Sequence, residues 1–277
     1  MFVETIDYKA NNASEALHRS LHATGFAVLA NHPISAGRIS DLYDRWGAFF
    51  ADDEKFSYAI QPNRPDGYFA FRSENAKDST TKDLKEFFHI YPESIMPDSL
   101  RQETNRMYAD LRALGVELLN WIQQQTPPSI KQKFTMPLDE MMQDSTQSLL
   151  RILHYPPIDN AEDGAMRAAP HEDINLITLL LSGSSPGLQA KDAAGAWHDI
   201  PCENSMITIN TGDMLAVASD NYYPSTTHRV INPDTAQNIS RYSMPMFLHP
   251  RPEVALRPGW TANEYRQQRL KEIGLLP

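Results

Sequence analysis

The stretch HEDINLITLLL, residues 171–181, joins a His-x-Asp pair to an apolar run that is typical of a buried strand. Residues i and i+2 of a strand point to the same side, so His171 and Asp173 can face one interior together. A second imidazole, His228, follows several short apolar runs later. Two imidazoles and one carboxylate on a single face can hold an ion such as iron(II) and leave its remaining positions open to other ligands.

The chain around this motif, from Leu149 to Leu248, contains short apolar runs separated by turn residues, with no helix predicted between them. Runs at this spacing predict an antiparallel sandwich or barrel of jelly-roll type. Closure of such a barrel would bring His228 back beside His171 and Asp173. The predicted strands are 149–155, 174–181, 188–190, 197–200, 206–210, 214–217, 228–231 and 242–248.

Both flanks of this core contain helical periodicity. A capping box formed by Thr261 and Glu264 predicts a last helix over 265–273, which stops at Gly274. On the N-terminal side, apolar spacing predicts helices and strands in alternation. The helices are expected over 14–24, 35 to about 58 and 99–125, and the strands over 26–30 and 84–91.

The expected fold class is therefore α+β, with a double-stranded β-helix (jelly roll) core, flanking N-terminal helices and a C-terminal helix. We expect one structural domain overall. Its parts are an N-terminal, mostly helical region over 1–148 that packs on the core and is not independent, the jelly-roll core over 149–250, and the C-terminal helix over 251–277.

The charge of the chain argues against a polyanionic partner. Its 277 residues carry a formal net charge of -10 and the basic residues are scattered, so we expect neither nucleic acid nor a membrane surface to bind. No apolar run approaches the roughly 20 residues of a membrane span, and the N-terminus has no signal-peptide pattern. The single cysteine, Cys202, cannot form an intramolecular disulfide, which agrees with the cytoplasmic location that we expect. We also expect a monomer or weak homodimer that acts on a small molecule.

A second motif, Arg241-Tyr242-Ser243, follows His228 on the last predicted strand. Arg241 and Ser243 stand at i and i+2 and so share a face. A guanidinium pairs with a carboxylate through two parallel hydrogen bonds, and a hydroxyl can add a third. The pair therefore suits the far end of a dicarboxylate whose other end is chelated by the ion.

Each of these motifs is weak when it stands alone. Most His-x-Asp pairs in arbitrary chains have nothing to do with metals, and an Arg-x-Ser on a strand is usually a surface feature. The order His-x-Asp, distant His and Arg-x-Ser within a jelly-roll pattern is much more specific. We therefore interpret the three motifs as parts of one site.

With these motifs in this order, the chain resembles the iron(II)- and 2-oxoglutarate-dependent dioxygenases of the isopenicillin N synthase-like family over nearly its whole length. The resemblance implies that His171, Asp173 and His228 are the iron ligands. It also implies that Arg241 and Ser243 bind the distal carboxylate of 2-oxoglutarate. Other matching segments are Gly25-Phe26, Asn31-His32-Pro33, Asp83-Leu84-Lys85-Glu86, Tyr155-Pro156-Pro157, Gly187-Leu188-Gln189, Gly212-Asp213 and Pro224 to Val230.

The resemblance also implies the reaction. Family members convert 2-oxoglutarate and dioxygen to succinate and CO2 while a second substrate is oxidised. Hydroxylation is the expected outcome, with desaturation or cyclisation as variants, and Asp173 argues against halogenation because the halogenases of the family lack that ligand. We expect the substrate to be a small-molecule metabolite, such as an amino acid or a natural-product intermediate.

Two features leave alternatives open. Tyr155 matches a tyrosine that in the family often bonds the co-substrate, but Leu153 stands where many members have an asparagine. A few members with the same Arg-x-Ser do not use 2-oxoglutarate. A 2-oxoglutarate-independent iron oxidase and a non-catalytic jelly-roll binding protein are therefore the alternatives.

The N-terminal half supplies candidates for the wall of the substrate pocket. Period-two alternation sets Lys85, Phe87, His89 and Tyr91 on one face of a predicted strand, which could line a pocket or belong to an ordinary edge strand. A basic residue, Arg72 or Lys85, would suit a substrate carboxylate, whereas an ion pair of Lys85 with Glu86 or Asp83 is the plainer alternative. The candidate substrate residues are Tyr68, Phe71, Arg72, Lys85, Phe87 and Asn175.

Overall fold

The structure is a computed structural model and describes residues 3–62, 64–74, 81–158, 164–203, 205–234 and 238–272. The helices are α1 (Ala13–Thr24), α2 (Ala36–Ala51), α3 (Asp98–Gln125), α4 (Pro128–Lys131), α5 (Asp213–Ala218) and α6 (Ala262–Glu272). Short 3-10 turns span Asp53–Tyr58 and Glu140–Met142. The strands are β1 (Thr5–Asp7), β2 (Phe26–Ala30), β3 (Gly67–Phe69), β4 (Glu86–Ile90), β5 (Leu149–Tyr155), β6 (Ala168–His171), β7 (Ile177–Leu181), β8 (Leu188–Lys191), β9 (Trp197–Asp199), β10 (Ile207–Thr211), β11 (His228–Val230), β12 (Arg241–Leu248), β13 (Ala255–Arg257) and β14 (Trp260–Thr261).

Two sheets face each other, and we call the space between them the chamber. Within the described residues, the large sheet has the strand order β1-β2-β10-β7-β12-β5-β4-β3 and the small sheet has the order β6-β11-β8-β9. Apolar side chains from both sheets meet between them, and we call this group the inner cluster. Its buried members are Phe26, Val28, Phe87, Leu153, Tyr155, Ala168, Leu188, Ala190, Ile200 and Val230. The arrangement confirms the predicted jelly-roll core.

The two faces of the large sheet have different partners. Along β5, Leu150 and Ile152 join the core that the sheet forms with α1, α2 and α3, whereas Leu153 and Tyr155 belong to the inner cluster. Trp46 of α2 is fully buried in the helical core. The period-two alternation of the strand therefore separates a core packed on helices from the chamber between the sheets.

The region before residue 149 is continuous with this core. The strands β1 and β2 form one edge of the large sheet, and β4 and β3 form the other. In the register of β4 with β5, Phe87 lies opposite Leu153 and His89 lies opposite Arg151. The N-terminal region thus contributes side chains to the chamber as well as helices to its outer side.

The prediction of a strand over 214–217 is wrong, because this run forms helix α5. Asp213 and Met214 donate backbone hydrogen bonds to the carbonyls of Asp173 and Asn175, at 2.7 and 3.1 Å. A short apolar run that is buried on nearly every side has no periodicity that distinguishes a strand from a helix. The helix interrupts the series of strands directly behind the His-x-Asp loop.

Two further boundaries differ from the predictions. Helix α2 ends at Ala51 rather than near Tyr58, because Oδ1 of Asp52 accepts the N–H of Glu54 at 2.8 Å and a 3-10 turn begins there. The strand β6 was not predicted. It ends at His171 and is therefore important for the site described below.

The predicted glycine stop of α1 and the predicted capping box of α6 are confirmed. Helix α1 stops at Gly25, which adopts a φ of 69° that favours glycine. Thr261 and Glu264 exchange hydrogen bonds as a capping box, whereas Gly274 lies outside the described residues. Among the helices described, none has the length and apolar character needed to cross a bilayer.

Candidate active site

The two histidines and the aspartate of the predicted site lie together. Strand β6 ends at His171, the loop after it carries Asp173, and β11 begins at His228, which pairs with His171 in the small sheet. Each residue offers one ligand atom, and these atoms all lie within 4.8 Å of one another. Nε2 of His228 is 3.8 Å from Oδ1 of Asp173. Three donors this close can hold one divalent ion.

Both imidazoles are oriented through their second ring nitrogen. Nδ1 of His171 lies 2.8 Å from the carbonyl oxygen of Ala169, and Nδ1 of His228 lies 3.1 Å from that of Thr226. Because a carbonyl oxygen only accepts, each Nδ1 carries the hydrogen and each Nε2 presents a lone pair. Burial and the neighbouring His228 lower the pKa of His171 to about 4, so this imidazole is neutral at neutral pH, as metal binding requires.

The carboxylate of Asp173 is held by two side chains from the large sheet. Its Oδ2 accepts hydrogen bonds from Oγ1 of Thr178 at 2.5 Å and from Nδ2 of Asn210 at 2.8 Å. Burial alone would raise the pKa of Asp173, but His228, His171 and these two hydrogen bonds outweigh it and lower the pKa. Asp173 is therefore ionised and presents its second oxygen to His228.

The Arg-x-Ser motif lies on the inner face of β12, where Arg241 and Ser243 are 1% and 2% exposed. Nε of Arg241 donates to the carbonyl of Ser185 at 2.9 Å. Its Nη1 is buried and has no hydrogen-bond partner among the described residues. A Cβ added to Gly183 would lie 2.6 Å from Nη2, so glycine leaves the room that the guanidinium needs. A buried N–H without a partner is costly unless a ligand completes it.

Tyr155 lies beside this guanidinium. It is the register partner of Arg241, and its ring centroid is 5.3 Å from the guanidinium carbon. Burial raises the pKa of the Tyr155 phenol, which therefore stays protonated and can donate a hydrogen bond. The donor set fits the groups that the sequence implies: two neutral imidazoles and a carboxylate suit iron(II), and the incompletely bonded guanidinium suits a carboxylate.

Of the candidate substrate residues, Phe87 lies in the inner cluster. Its ring stacks on Phe69 with centroids 4.5 Å apart, and the guanidinium carbon of Arg151 lies 4.6 Å from its centroid. Lys85 lies just before β4, two residues from Phe87, and it is close enough to Tyr155 for each residue to influence the pKa of the other. Phe87 is thus part of the chamber wall.

The ammonium of Lys85 is engaged within the chain. Its Nζ binds Oδ2 of Asp83 at 2.8 Å and Oε2 of Glu74 at 2.9 Å. Lys85 therefore forms an ion pair with Asp83, as the plainer alternative predicted, and its second partner is Glu74 instead of Glu86. Glu86 points to the helical face, where it binds Nζ of Lys55 at 3.0 Å.

Tyr68 requires a correction, because it lies on the helical face of the large sheet. Its hydroxyl donates to Glu86, and its ring packs near Phe50 in the helical core. No strand was predicted there, and the three residues of β3 are too few for a periodicity that says which face is inside.

Asn175 also has a different environment from the one expected. The residue is fully buried, and its Nδ2 donates to the carbonyl of Ile177 at 2.8 Å and to Oγ1 of Thr178 at 3.0 Å. These contacts use the side chain to shape the loop behind Asp173. We therefore assign Asn175 a supporting position instead of a substrate contact.

Phe71 and Arg72 follow β3 near the chain that leads into β4. Phe71 is 44% exposed, and the guanidinium carbon of Arg72 lies 5.9 Å from its ring centroid. The backbone N–H of Arg72 donates to the carbonyl of Lys85 at 3.1 Å. The two residues thus lie just after β3, and Arg72 lies beside the backbone of Lys85.

Two residues beside Phe87 and Lys85 were not predicted, namely Arg151 and Glu74. Arg151 binds Glu74 at 3.2 Å and donates from Nε to Nε2 of His89 at 2.8 Å. Burial would raise the pKa of Glu74, but Arg151 and Lys85 hold it well below its usual value. Arg151 stands two residues before Leu153 on β5, so the two side chains share a face, and this spacing could have identified Arg151 from the sequence.

Comparisons with known proteins identify the class to which this site belongs. Residues 146–250 match the model of the 2OG-Fe(II) oxygenase superfamily, and residues 3–110 match an N-terminal model described as non-haem dioxygenase in morphine synthesis. A solved structure from Shewanella oneidensis, described as an oxygenase, is 46% identical, with a TM-score of 0.90 and 100% of both chains covered. A structure from Caulobacter crescentus, described as a 2OG-Fe(II) oxygenase family protein, is 31% identical, with a TM-score of 0.81 and 98% of this chain and 99% of that chain covered. The proline hydroxylase buaE of Petromyces alliaceus is 29% identical over 93% of this chain and 90% of its own length.

The chain therefore belongs to the 2-oxoglutarate and iron(II)-dependent oxygenase superfamily and resembles its isopenicillin N synthase-like members. It is an oxidoreductase that uses iron(II), 2-oxoglutarate and dioxygen, and a small molecule fits as its substrate. The predicted class, cofactors and jelly-roll fold are confirmed.

Proposed function

We propose that this oxygenase oxidises a small-molecule metabolite, most simply by hydroxylation, at an iron(II) ion held by His171, Asp173 and His228. We also propose that Arg241 and Ser243 hold the distal carboxylate of 2-oxoglutarate. The observation that carries the proposal is the combination of three ligand atoms within 4.8 Å of one another and a buried Nη1 of Arg241 without a partner in the described part of the chain. One feature suits the ion and the other suits an anion beside it.

The protein contributes geometry and exclusion of water to this reaction. The bound ion supplies the redox chemistry by which dioxygen oxidises the substrate while 2-oxoglutarate becomes succinate and CO2. Thr178 and Asn210 fix the carboxylate of Asp173, and the carbonyls bound to each Nδ1 fix the planes of His171 and His228. The apolar inner cluster excludes water from this space. Tyr155 is proposed to donate a hydrogen bond to the co-substrate.

The substrate is proposed to lie against the inner faces of β4 and β5. Phe87 offers an apolar ring, and the side chain of Arg151, 17% exposed, has its guanidinium carbon 4.6 and 5.5 Å from the rings of Phe87 and Phe247. Such a wall suits a metabolite with an apolar part, such as an amino acid or a natural-product intermediate. A relative named proline hydroxylase supports the amino-acid class. Phe71 and Arg72 are proposed for the rim of this pocket.

We propose in addition that the enzyme works in the cytoplasm as a monomer or weak homodimer, without nucleic acid or membrane as a partner. The formal net charge of -10 and the single cysteine of the chain support this setting.

A coupled assay of succinate release tests the proposal. Protein supplied with iron(II), 2-oxoglutarate and dioxygen should release succinate slowly, and faster when a panel of amino acids and related metabolites includes the substrate. The variant Arg241→Met should release almost none. The control Arg112→Gln removes a guanidinium that donates to the carbonyl of Met142 on the helical side, and it should behave as the wild type. Absence of succinate under every condition would contradict the proposal, and substrate oxidation without 2-oxoglutarate would select the 2-oxoglutarate-independent oxidase.

A further inference from the structure

Arg167 is a buried guanidinium that the site described above does not use. Its side chain is 1% exposed, its Nη2 donates to the carbonyl of Ile239 at 2.6 Å, and its Nε is buried without a hydrogen-bond partner among the described residues. Within the same part of the chain, no carboxylate lies at ion-pair distance from it. Burial and the nearby Arg241 lower the pKa of Arg167 to about 10, so it remains cationic at neutral pH. A buried charge of this kind is strongly destabilising unless an anion neutralises it.

The position of Arg167 links it to the co-substrate end of the chamber. The carbonyl that it binds belongs to Ile239, which precedes the first residue of β12, Arg241, by two positions. The next residue, Ala168, belongs to the inner cluster together with Tyr155, which is the register partner of Arg241. Arg241 and the phenol of Tyr155 both influence the pKa of Arg167, so its guanidinium lies close enough to theirs to interact. The described residues provide a carboxylate for neither guanidinium.

We propose that Arg167 is the second cation of the co-substrate pocket and makes the pocket selective for 2-oxo acids that carry a distal carboxylate. This inference rests on the proposed function, in which Arg241 and Ser243 hold that carboxylate. The field of a second positive charge adds to the attraction of a carboxylate in a poorly solvated space. A 2-oxo acid that ends in a methyl group would leave both guanidiniums buried without an anion. Arg167 acts through its charge, as a positioning and selectivity residue.

A purely structural role for Arg167 has different consequences. If its only task is to anchor the chain at Ile239, its replacement lowers stability and affects all 2-oxo acids alike. A lysine would then be no better than a glutamine, because neither reproduces the guanidinium contact. Arg112 is a matched control, since its Nη2 also donates to a backbone carbonyl, that of Met142, at 2.7 Å.

Anaerobic calorimetric titration of the iron(II)-loaded enzyme separates the two roles. The ligands are 2-oxoglutarate and 2-oxopentanoate, which has the same number of carbons but lacks the distal carboxylate. Arg167→Gln should bind 2-oxoglutarate about tenfold more weakly, the order of magnitude expected for one charge pair in a partly screened site, and 2-oxopentanoate as the wild type does. Arg167→Lys should bind 2-oxoglutarate within about threefold of the wild type, and Arg112→Gln should bind both ligands normally.

The inference is overturned if Arg167→Gln binds 2-oxoglutarate as tightly as the wild type, or if both Arg167 variants lose both ligands equally. Should Arg167→Gln fail to fold, Arg167→Lys decides alone: a 2-oxoglutarate affinity within about threefold of the wild type supports the charge role, and an equal loss of affinity for both ligands refutes it. A wild-type enzyme that binds no 2-oxoglutarate refutes the proposed function itself. The two failures are therefore distinguishable.

Discussion

Two groups of cations lie beside the chamber, and they differ in how their charges are neutralised. In the first group, which we call the outer wall, Lys85 and Arg151 share the carboxylate of Glu74, at 2.9 and 3.2 Å. At the co-substrate end, Arg241 and Arg167 have no carboxylate partner among the described residues, and each has a buried N–H without a hydrogen bond. The charges of the first group are neutralised by carboxylates of the chain itself. The charges of the second group are neutralised only when an anionic ligand binds.

This difference separates stability from binding. Removal of one member of a neutralised buried group leaves the opposite charge without a partner, which is strongly destabilising. Removal of a cation that has no internal partner takes away the desolvation cost of that buried charge in the ligand-free protein. The same removal weakens the binding of the anionic ligand. Substitutions on the outer wall should therefore change the free energy of unfolding, and substitutions at the co-substrate end should change the affinity for 2-oxoglutarate.

The largest effect is expected for Arg241→Met. Loss of the bidentate guanidinium should weaken 2-oxoglutarate binding by about 100-fold or more, because the distal carboxylate would be buried without its charged partner. The free energy of unfolding of the ligand-free protein should stay the same or rise. Anaerobic titration and denaturant unfolding measure the two quantities. If Arg241→Met is clearly destabilised but retains wild-type affinity for 2-oxoglutarate, Arg241 serves stability and not binding, contrary to the assignment made above.

Glu74→Gln should have the opposite profile. It leaves Lys85 and Arg151 with one negative charge fewer, so the free energy of unfolding should fall by about 2 to 3 kcal/mol, while 2-oxoglutarate affinity changes by less than about twofold. The control Glu15→Gln breaks an exposed pair with Arg19, at 3.2 Å, and should cost less than about 0.5 kcal/mol. Equal free energies of unfolding for Glu74→Gln and Glu15→Gln would show that the ion pairs of Glu74 with Lys85 and Arg151 do not stabilise the fold.

Thr178→Val tests the support of the iron site. It removes the hydroxyl that holds Oδ2 of Asp173 at 2.5 Å and should weaken iron(II) binding by about tenfold. Thr104→Val is the matched control, because its hydroxyl accepts from Nε1 of Trp46 on the helical side at 3.1 Å and should not affect iron affinity. Competition with a metal-sensitive dye gives both values. Equal iron affinities in the two variants would rule out this role for Thr178.

The smallest effect concerns stability in acid. The pKa of Glu74 in the folded protein lies well below its usual value of 4.5 because of Arg151 and Lys85. A carboxyl with a lowered pKa contributes stability that is present above about pH 4.5 and is lost as the pH falls below it. Between pH 5 and pH 3, the wild type should therefore lose on the order of 1 kcal/mol more than Glu74→Gln. Parallel pH profiles would contradict this assignment.

Features that depend on local spacing could be predicted from the sequence. His171 with Asp173 and Arg241 with Ser243 are i, i+2 pairs, and each pair lies where a strand or its end turns two side chains to one side. The jelly-roll core followed from the spacing of its apolar runs. Helix α5 did not, because a short, fully apolar run is compatible with either element.

Features that depend on strand register could not be predicted in this way. Alternation predicted that Lys85 and Phe87 share a face, but the Lys85 partner Glu74 lies on another segment, and Tyr68 alternates toward the helical side. Arg167 gave no signal, since a single arginine outside a periodic run has no spacing that indicates burial. Its importance follows only from the absence of a carboxylate beside it among the described residues.

The central claim is that the incompletely bonded guanidinium of Arg241 lies ready for an anion chelated at the iron held by His171, Asp173 and His228. Anaerobic titration of 2-oxoglutarate into the iron(II)-loaded protein tests it most directly, with the weak visible metal-to-ligand band as the signal. The wild type should develop the band with one 2-oxoglutarate per chain, and Arg241→Met should require about 100-fold more ligand. A wild type without the band, or an Arg241→Met protein with the same titration curve, would contradict the claim.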